Sequence, residues 1–162
     1  MKSLLHKYLV APIRTLLTQG LSPRLLALSL AVGLVVGIFP VLGTTTVLCT
    51  LFAAALRLNL VAVQTVHFLM TPVQLLLIIP FVRVGEWVLG RTPQPLSISE
   101  GLALIAQGAV TAVAVLWDAI LHAMLGWLLL GPVLLAVAYV LLAQVLKSTQ
   151  HRLPKPASPG RP

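Results

Sequence analysis

The longest apolar region of the chain runs from Leu25 to Leu56 and is interrupted once, at Pro40–Gly43. An unbroken helix over these 32 residues would be about 48 Å long, whereas the hydrocarbon core of a bilayer is about 30 Å thick. The two halves, Leu25–Phe39 and Thr44–Leu56, are each only about 20–22 Å long. The pattern therefore predicts a helical hairpin that enters a membrane, turns at Pro40–Gly43 and leaves on the same side.

A second apolar block, Leu58–Val82, is interrupted at Met70–Pro72. Thr71 precedes a proline, and a threonine at the N-cap followed by proline at the first helical position is typical of a helix start. The block is bounded by Arg57 on one side and by Arg83 and further charged residues on the other. We expect a second re-entrant hairpin whose tip is Met70–Pro72.

The third apolar block runs from Ala109 to Leu146 and is interrupted at Gly131–Pro132. One interpretation is a C-terminal membrane hairpin over residues 109–147. The alternative makes residues 97–117 interfacial and 119–146 one long kinked span. That alternative would place Asp118 and Lys147 on opposite sides of the membrane.

The fold class expected is an all-α, polytopic integral membrane protein of helical hairpins, two of them re-entrant, with an amphipathic N-terminal interfacial helix. Apolar positions recur at helical spacing in the first 20 residues, with basic residues between them, as in helices that lie in the headgroup plane. The last residues are polar, basic and rich in proline, which predicts a disordered tail. The chain divides into an interfacial helix (1–21), a double-hairpin core (22–91), a loop with an interfacial helix (92–108), a C-terminal hairpin (109–147) and the tail (148–162).

Composition supports a membrane location. Of the 162 residues, 59% are hydrophobic and 9% are charged, and the mean hydropathy is +1.03, whereas soluble domains carry about 25% charged residues. Eleven Lys and Arg against three acids give a net charge of +8. These cations fall at the chain ends and at the open ends of the three predicted hairpins, which favours membrane anchoring over nucleic-acid binding. The positive-inside rule then places both termini of a multi-pass membrane protein in the cytoplasm.

Two of the predicted hairpins start their returning arm with threonines. Free N–H groups and the helix dipole make such helix N-termini suitable for anions such as phosphate or carboxylate. In the alternative interpretation the hydroxyls only satisfy those N–H groups where water is absent. The candidate substrate-binding residues are Thr44, Thr45, Thr71 and Gln74 at the tips, with Arg57 and Asn59 at the cytoplasmic face.

Asp118 and His122 are four residues apart and lie on one helical face. Ionisable residues within membrane helices are functional candidates, so the pair could relay a proton. The alternatives are a locally paired structural couple, or two residues near the membrane interface if 119–146 forms one long span. The sequence shows no defensible metal-ligand spacing, no nucleotide-binding motif and no nucleophile beside a base, so we expect neither an enzyme nor a cofactor.

Gly33 and Gly37 form a G-x-x-x-G pair, which permits close approach of a second helix. We expect this face to pack against the returning arm, Thr44–Leu56. Homodimerisation through the same face is the alternative.

The spacing of glycine, proline, arginine and asparagine resembles a family of small bacterial membrane proteins catalogued as domain of unknown function 2062. The resemblance covers roughly Leu21–Gly90, and one position departs from it. The family usually has Asn-Pro-x-Thr at the second tip, where this chain has Thr71-Pro72-Val73-Gln74, so a binding role of that tip would be altered here. The matching positions are Ser22, Pro23, Ala27, Gly33, Gly37, Pro40, Gly43, Arg57, Asn59, Pro72 and Gly90.

The resemblance implies a bacterial inner-membrane location and no specific reaction. Relatives fused to glycosyltransferase domains suggest a setting of lipid-linked sugars or envelope polymers. The function expected is transport or flipping of an anionic, lipid-linked substrate. The alternative is a non-transporting scaffold or accessory subunit for an envelope-biosynthesis enzyme. Expected partners are anionic lipid headgroups, a second copy of the chain and such an enzyme, and no nucleic acid.

Overall fold

The structure, a computed structural model, describes residues 22–93 and 109–151, and the side chains of 22–93 and 116–149. Within these ranges every regular element is an α-helix, which confirms the all-α class. The amphipathic helix over 1–21, most of the segment 92–108 and the tail beyond residue 151 lie outside the described residues. The four helices are α1 (Pro23–Gly37), α2 (Thr45–Ala55), α3 (Leu60–Val88) and α4 (Ala109–His151).

The first predicted hairpin is present as α1, a turn and α2. The Ser22 hydroxyl accepts a hydrogen bond from the Leu25 N–H (3.2 Å), and Pro23 follows at the start of α1, as expected. The chain reverses between α1 and α2, where Gly43 adopts a left-handed backbone with φ of 84°. Glycine adopts this conformation without a Cβ penalty, so the predicted break at Pro40–Gly43 is confirmed.

The second predicted hairpin is wrong, because α3 continues through Pro72. Pro72 has no N–H to donate to the carbonyl four residues earlier, and a proline inside a helix costs about 3 kcal/mol. Met70–Pro72 contains no glycine, and no residue there adopts the left-handed backbone that reverses the chain after α1. The 29 residues of α3 make a helix about 43 Å long, enough to cross a bilayer without a turn.

The predicted C-terminal hairpin is also wrong, because α4 continues through Gly131 and Pro132 to His151. The helix extends four residues beyond Lys147, into the segment expected to be disordered. At 43 residues it is about 64 Å long, more than twice the thickness of a hydrocarbon core. Asp118 and Lys147 therefore lie far apart on one helix, as the alternative interpretation expected.

Contacts between the helices fix their directions. At one end Leu26 of α1, Ala62 of α3 and Ala143 of α4 share a buried cluster. Towards the other end Phe81 of α3 packs with Ala123 of α4. Gly33 of α1 lies against Val63 of α3, and Gly37 lies against His67. The helices α1 and α3 therefore run in the same direction, and α4 runs antiparallel to both.

This arrangement separates the charged residues into two groups at opposite ends of the bundle. Arg24, Arg57 and Lys147 lie at the end where α1 and α3 begin. Arg83, Glu86, Arg91 and Asp118 lie at the end where α3 finishes and α4 begins. The prediction that every Arg and Lys shares one end is therefore wrong, because it depended on the two hairpins that are absent.

The tip of the α1–α2 hairpin reaches the middle of α3. The carbonyl of Phe39, two residues beyond α1, accepts a hydrogen bond from the Gln74 side chain. Gln74 is the central residue of Leu60–Val88, with 14 residues on either side, so it lies about 21 Å along the helix axis from each end. The short hairpin thus covers only half of the length of α3.

Two helical segments are long and apolar enough to cross a membrane, Leu60–Val88 and Leu116–Thr149. Most of their large apolar side chains face outward, as with Leu76 and Leu128, which are exposed. The helices α1 and α2 are apolar but shorter. Outward-facing apolar side chains on long helices are what contact with lipid requires.

The G-x-x-x-G face is buried within the chain, against α3 and not against α2. A Cβ added to Gly33 would lie 2.6 Å from the Val63 carbonyl oxygen, and one added to Gly37 would lie 3.1 Å from the His67 Cα. The expectation that this face packs against α2 is therefore wrong. Because α3 covers this face, it leaves no room for homodimerisation through Gly33 and Gly37.

Candidate functional site at the hairpin tip

The N-terminus of α2 lies at the tip of the hairpin and has no side-chain cap. Thr44 occupies the N-cap position, but its hydroxyl donates to the Val41 carbonyl (2.9 Å) and not to the helix. Gly43 and Thr44 are exposed, and the first turn contains no acidic residue. The first N–H groups of a helix have no intrahelical partner and carry partial positive charge. The end of α2 therefore presents unsatisfied donors at the middle of the bundle.

A buried histidine of α3 lies beside this helix end. His67 is 3% exposed, and its Nε2 lies 3.1 Å from the hydroxyl of Thr46, in the first turn of α2. Its other ring nitrogen, Nδ1, is buried and has no hydrogen-bond partner among the described residues. Buried polar atoms without partners are uncommon, so this nitrogen marks a functional candidate.

Further polar groups follow the α2–α3 interface away from the tip. The Gln64 amide donates to the Thr50 hydroxyl (2.9 Å) and to the Thr46 carbonyl (3.2 Å). The Thr50 hydroxyl donates to the same carbonyl (2.8 Å). Both threonines are exposed, and Gln64 Oε1 is buried without a hydrogen-bond partner in the described part of the chain. Polar groups thus continue from the tip along the outer surface of α2 and α3.

Side chains of the long helices satisfy the backbone where α1 ends. The Trp127 indole of α4 donates to the Val35 carbonyl (2.9 Å), and Gln74 donates to the Phe39 carbonyl (2.6 Å). The rings of Phe39 and Trp127 pack edge to face with centroids 4.9 Å apart. The last carbonyls of a helix need such partners where water is absent. The hairpin can therefore end at mid-length without solvent.

The structure brings three of the predicted tip residues together and separates the fourth. Thr44 and Thr45 start α2, with Thr45 buried, and Gln74 reaches the same tip. The Gln74 amide, however, donates to the protein backbone. Thr71 is exposed on the continuous helix α3, so the predicted second helix N-terminus does not exist.

Arg57 and Asn59 lie at the open end of the hairpin, remote from the tip. Asn59 caps α3, because its Oδ1 accepts from the Ala62 N–H (2.8 Å), and its own N–H donates to the Ser29 hydroxyl (3.1 Å). Both the side-chain oxygen and the backbone N–H of Asn59 are thus engaged in hydrogen bonds within the protein. Arg57 is exposed and adopts a left-handed backbone with φ of 53°, so its side chain remains available at the surface.

Asp118 and His122 do contact each other, at the end of the bundle opposite Arg57. His122 Nδ1 lies 2.6 Å from the Asp118 carbonyl oxygen and 3.5 Å from its carboxylate. The buried Glu86 pairs with Arg83 (2.8 Å), as the sequence spacing allowed. Gly85 packs directly on the His122 backbone. The proton-relay role of the pair stays a prediction. The pair lies at the end of the bundle where α4 begins, whereas the hairpin tip lies at the middle of α3.

Sequence reasoning missed His67, Gln64, Thr50 and Trp127 as members of the site. Gln64 and His67 are three residues apart and therefore share a helix face, which was a usable signal. Trp127 gave no signal, because its partner lies on another helix. The part of the chain with described side chains holds no group of three His, Cys, Asp or Glu that could bind a metal.

No curated protein and no solved structure matches the chain. A family model described as "Uncharacterized protein conserved in bacteria (DUF2062)" matches residues 6–153. That range extends the resemblance seen at Leu21–Gly90 over all four helices. The chain therefore belongs to this bacterial family.

Proposed function

We propose that the chain is a multi-pass protein of the bacterial inner membrane that binds the anionic group of a lipid-linked substrate at the hairpin tip and moves it across the bilayer. The observation that carries the proposal is the uncapped N-terminus of α2, which lies halfway along the membrane-length helix α3. Helix N-termini bind phosphate and carboxylate groups through free N–H groups. Half-helices that end near the middle of a membrane form the substrate sites of several transporters.

The distribution of basic residues supports one orientation of the protein. The end that contains Arg24, Arg57 and Lys147 is also the end at which the chain enters α1 and leaves α4. The opposite end contains Arg83 and Arg91. Under the positive-inside rule the first end faces the cytoplasm. The hairpin α1–α2 then enters from the cytoplasm and α3 and α4 cross. The sequence before Ser22 and after His151 contains six further cations: Lys2, Lys7, Arg14, Arg152, Lys155 and Arg161.

The polar groups between the two ends of α2 support a path for a headgroup. Arg57 is exposed at the cytoplasmic end of the hairpin, where it can attract an anion. Thr50 and Thr46 are exposed along α2, and the N–H groups of the first turn of α2 lie at the tip. A polar headgroup could follow these groups to mid-depth while its acyl chains stay among the outward-facing apolar side chains.

The test is flipping of a fluorescent phosphatidylglycerol in vesicles that contain the purified protein. A Thr44→Val, Thr46→Val double variant removes two hydroxyls from the tip and nearly preserves side-chain volume. We expect at least a tenfold lower rate, since a hydrogen bond to a charged group contributes about 1.5–3 kcal/mol. Thr65→Val is the matched control, because that hydroxyl is exposed and donates to the Val61 carbonyl of its own helix.

Wild-type flipping in the double variant would contradict the proposed site. The accessory-subunit function would then become the better account, and the protein should co-purify with an envelope-biosynthesis enzyme. A phosphatidylcholine probe supplies the second control. Its headgroup has no net charge, so its flipping should be slow and insensitive to either variant.

A further inference from the structure

We propose that the hairpin tip binds its anion together with one proton, and that His67 takes the proton. This inference rests on the proposed function and adds its coupling: the substrate would be a proton–anion pair. Its basis is the position of a buried imidazole against the first turn of α2. One ring nitrogen faces Thr46, and the other has no hydrogen-bond partner among the residues that the structure describes.

The Thr46 hydroxyl connects the proton to the anion. With the proton of a neutral His67 on Nδ1, Nε2 is an acceptor and receives the Thr46 hydroxyl hydrogen. When the ring takes a second proton, Nε2–H becomes a donor and points at Thr46 Oγ1, 3.1 Å away. The hydroxyl hydrogen must then turn elsewhere, and the exposed start of α2 is open to it. Protonation of His67 thus gives the anion site one more donor.

Charge acts in the same direction as this hydrogen-bond switch. A protonated His67 next to the positive end of the α2 dipole places two like charges together in a buried site. A bound anion reverses that interaction, because it neutralises both. Anion binding therefore favours protonation, and by linkage protonation favours anion binding by the same factor.

Few other groups could take this role. Between Arg57 and Arg83, His67 is the sole titratable side chain of α3. On α2 the titratable group is the Cys49 thiol, which is buried in an apolar cluster with Val36 and Val63. On α1 it is Arg24, at the cytoplasmic end. On α4, Tyr139 packs with the cluster at that same end, Lys147 lies beyond it, and Asp118 and His122 lie at the opposite end.

The experiment measures anion binding to the purified full-length protein at several values of pH. The lipid probe is dihexanoyl phosphatidylglycerol, a phosphodiester that lacks the second phosphate ionisation. We expect binding about tenfold tighter at about pH 5 than at about pH 8, the range in which histidine changes charge. Calorimetry in buffers with different ionisation enthalpies should show uptake of about one proton per bound anion. Dimethyl phosphate, run in parallel, tells whether the site takes a free anion or requires the lipid.

His67→Gln keeps a polar side chain near Thr46 and cannot take a proton. In this variant binding should persist at the affinity that the wild type shows at about pH 8, with no proton uptake. His151→Gln, at the C-terminal end of α4, is the matched control and should retain both the pH dependence and the uptake.

Three results would overturn the inference. These are wild-type binding without proton uptake, an unchanged pH dependence in His67→Gln, and loss of the uptake in His151→Gln alone. In each case anion binding itself survives, so the proposed function stands. Absence of binding by the wild type at every pH would instead refute the proposed function. If His67→Gln fails to fold, calorimetry on the wild type that shows no proton uptake still overturns the inference.

Discussion

The indole Nε1–H of Trp127 donates a 2.9 Å hydrogen bond to the carbonyl of Val35, which is 92 residues earlier in the chain. The N–H of Phe39, the normal helical donor to that carbonyl, donates to Val36 instead (3.1 Å). The tryptophan therefore holds the end of the short helix α1 against the long helix α4. Without the indole, this carbonyl would have no hydrogen-bond donor in the middle of a membrane, because water is absent there.

Trp127→Phe should destabilise the fold by about 1–3 kcal/mol, because it keeps most of the ring but leaves a buried acceptor without its donor. The measurement is thermal or SDS-induced unfolding of the purified protein. Trp117→Phe is the control, since the Trp117 side chain is exposed. Equal losses in both variants would show that ring size matters and the hydrogen bond does not.

The α3–α4 crossing depends on two glycines. A Cβ at Gly85 would collide with the His122 carbonyl oxygen, and one at Gly126 would collide with the carbonyl oxygen of Phe81. In each case the obstacle is backbone, so the two helices would have to separate. We expect Gly85→Ala and Gly126→Ala each to lower the unfolding free energy by about 2 kcal/mol or more.

Gly131→Ala is the control for these variants. Its added Cβ would lie 3.3 Å from the Trp127 ring, a side chain that can shift slightly. Alanine also has a higher helix propensity than glycine by about 1 kcal/mol. Gly131→Ala should therefore be close to neutral in the same assay, and a loss comparable to that of Gly85→Ala would contradict the proposed crossing.

Arg57 adopts a conformation that glycine would adopt more easily. After α2, the N–H of Leu58 donates to the Ala53 carbonyl (2.8 Å) and the N–H of Arg57 to the Ala54 carbonyl (3.3 Å), with Arg57 in the left-handed region. The same bonding pattern ends α3, where the left-handed residue is Gly90. Left-handed backbone costs a non-glycine residue about 1–2 kcal/mol.

Arg57→Gly should therefore raise stability by about 1 kcal/mol, while removal of the cation should weaken recruitment of anionic lipid. Gly90→Ala should lower stability by a similar amount, because nothing lies within 4 Å of the added Cβ and the effect is purely conformational. Unfolding and lipid-binding assays on the same preparations measure both properties. A variant Arg57→Gly that is less stable than the wild type would refute this argument.

Single cysteines test the sidedness of the bundle. Cys49 is buried, and Cys49→Ser provides the background. In that background Arg57→Cys should be labelled by a membrane-impermeant maleimide from the cytoplasmic side, and Trp87→Cys from the periplasmic side. Labelling of both positions from one side would restore the topology of two hairpins and contradict α3 as a single span.

The sequence predicted the features that local chemistry determines. The Ser22–Pro23 start of α1 and the turn at Pro40–Gly43 could be located because capping and left-handed backbone depend on neighbouring residues. The breaks expected at Pro72 and Pro132 are absent, because a proline removes one hydrogen bond but does not reverse the chain. Whether a helix continues past a proline depends on its packing against other helices.

The site was predictable only in part, for the same reason. Thr44 and Thr45 follow a recognisable turn, so their position at the start of α2 could be predicted. His67 and Trp127 matter through partners 21 and 92 residues away, the Thr46 hydroxyl and the Val35 carbonyl. Such long-range pairs depend on how the helices are placed relative to one another. The spacing of residues along one helix carries no information about that placement.

The most direct test of the account is the depth of the hairpin tip in a bilayer. Nitroxide labels at Leu42 and Val73, both exposed, report the depth of the hairpin tip and of the middle of α3. Labels at Leu56 and Val88 report the depth of the two ends of the bundle. Relaxation by oxygen and by a polar nickel complex then gives the depth of each label. With a re-entrant hairpin, positions 42 and 73 should lie equally deep, near the bilayer centre, and 56 and 88 should lie near opposite headgroup regions. A label at position 42 in a headgroup region would contradict the re-entrant hairpin and, with it, the proposed anion site.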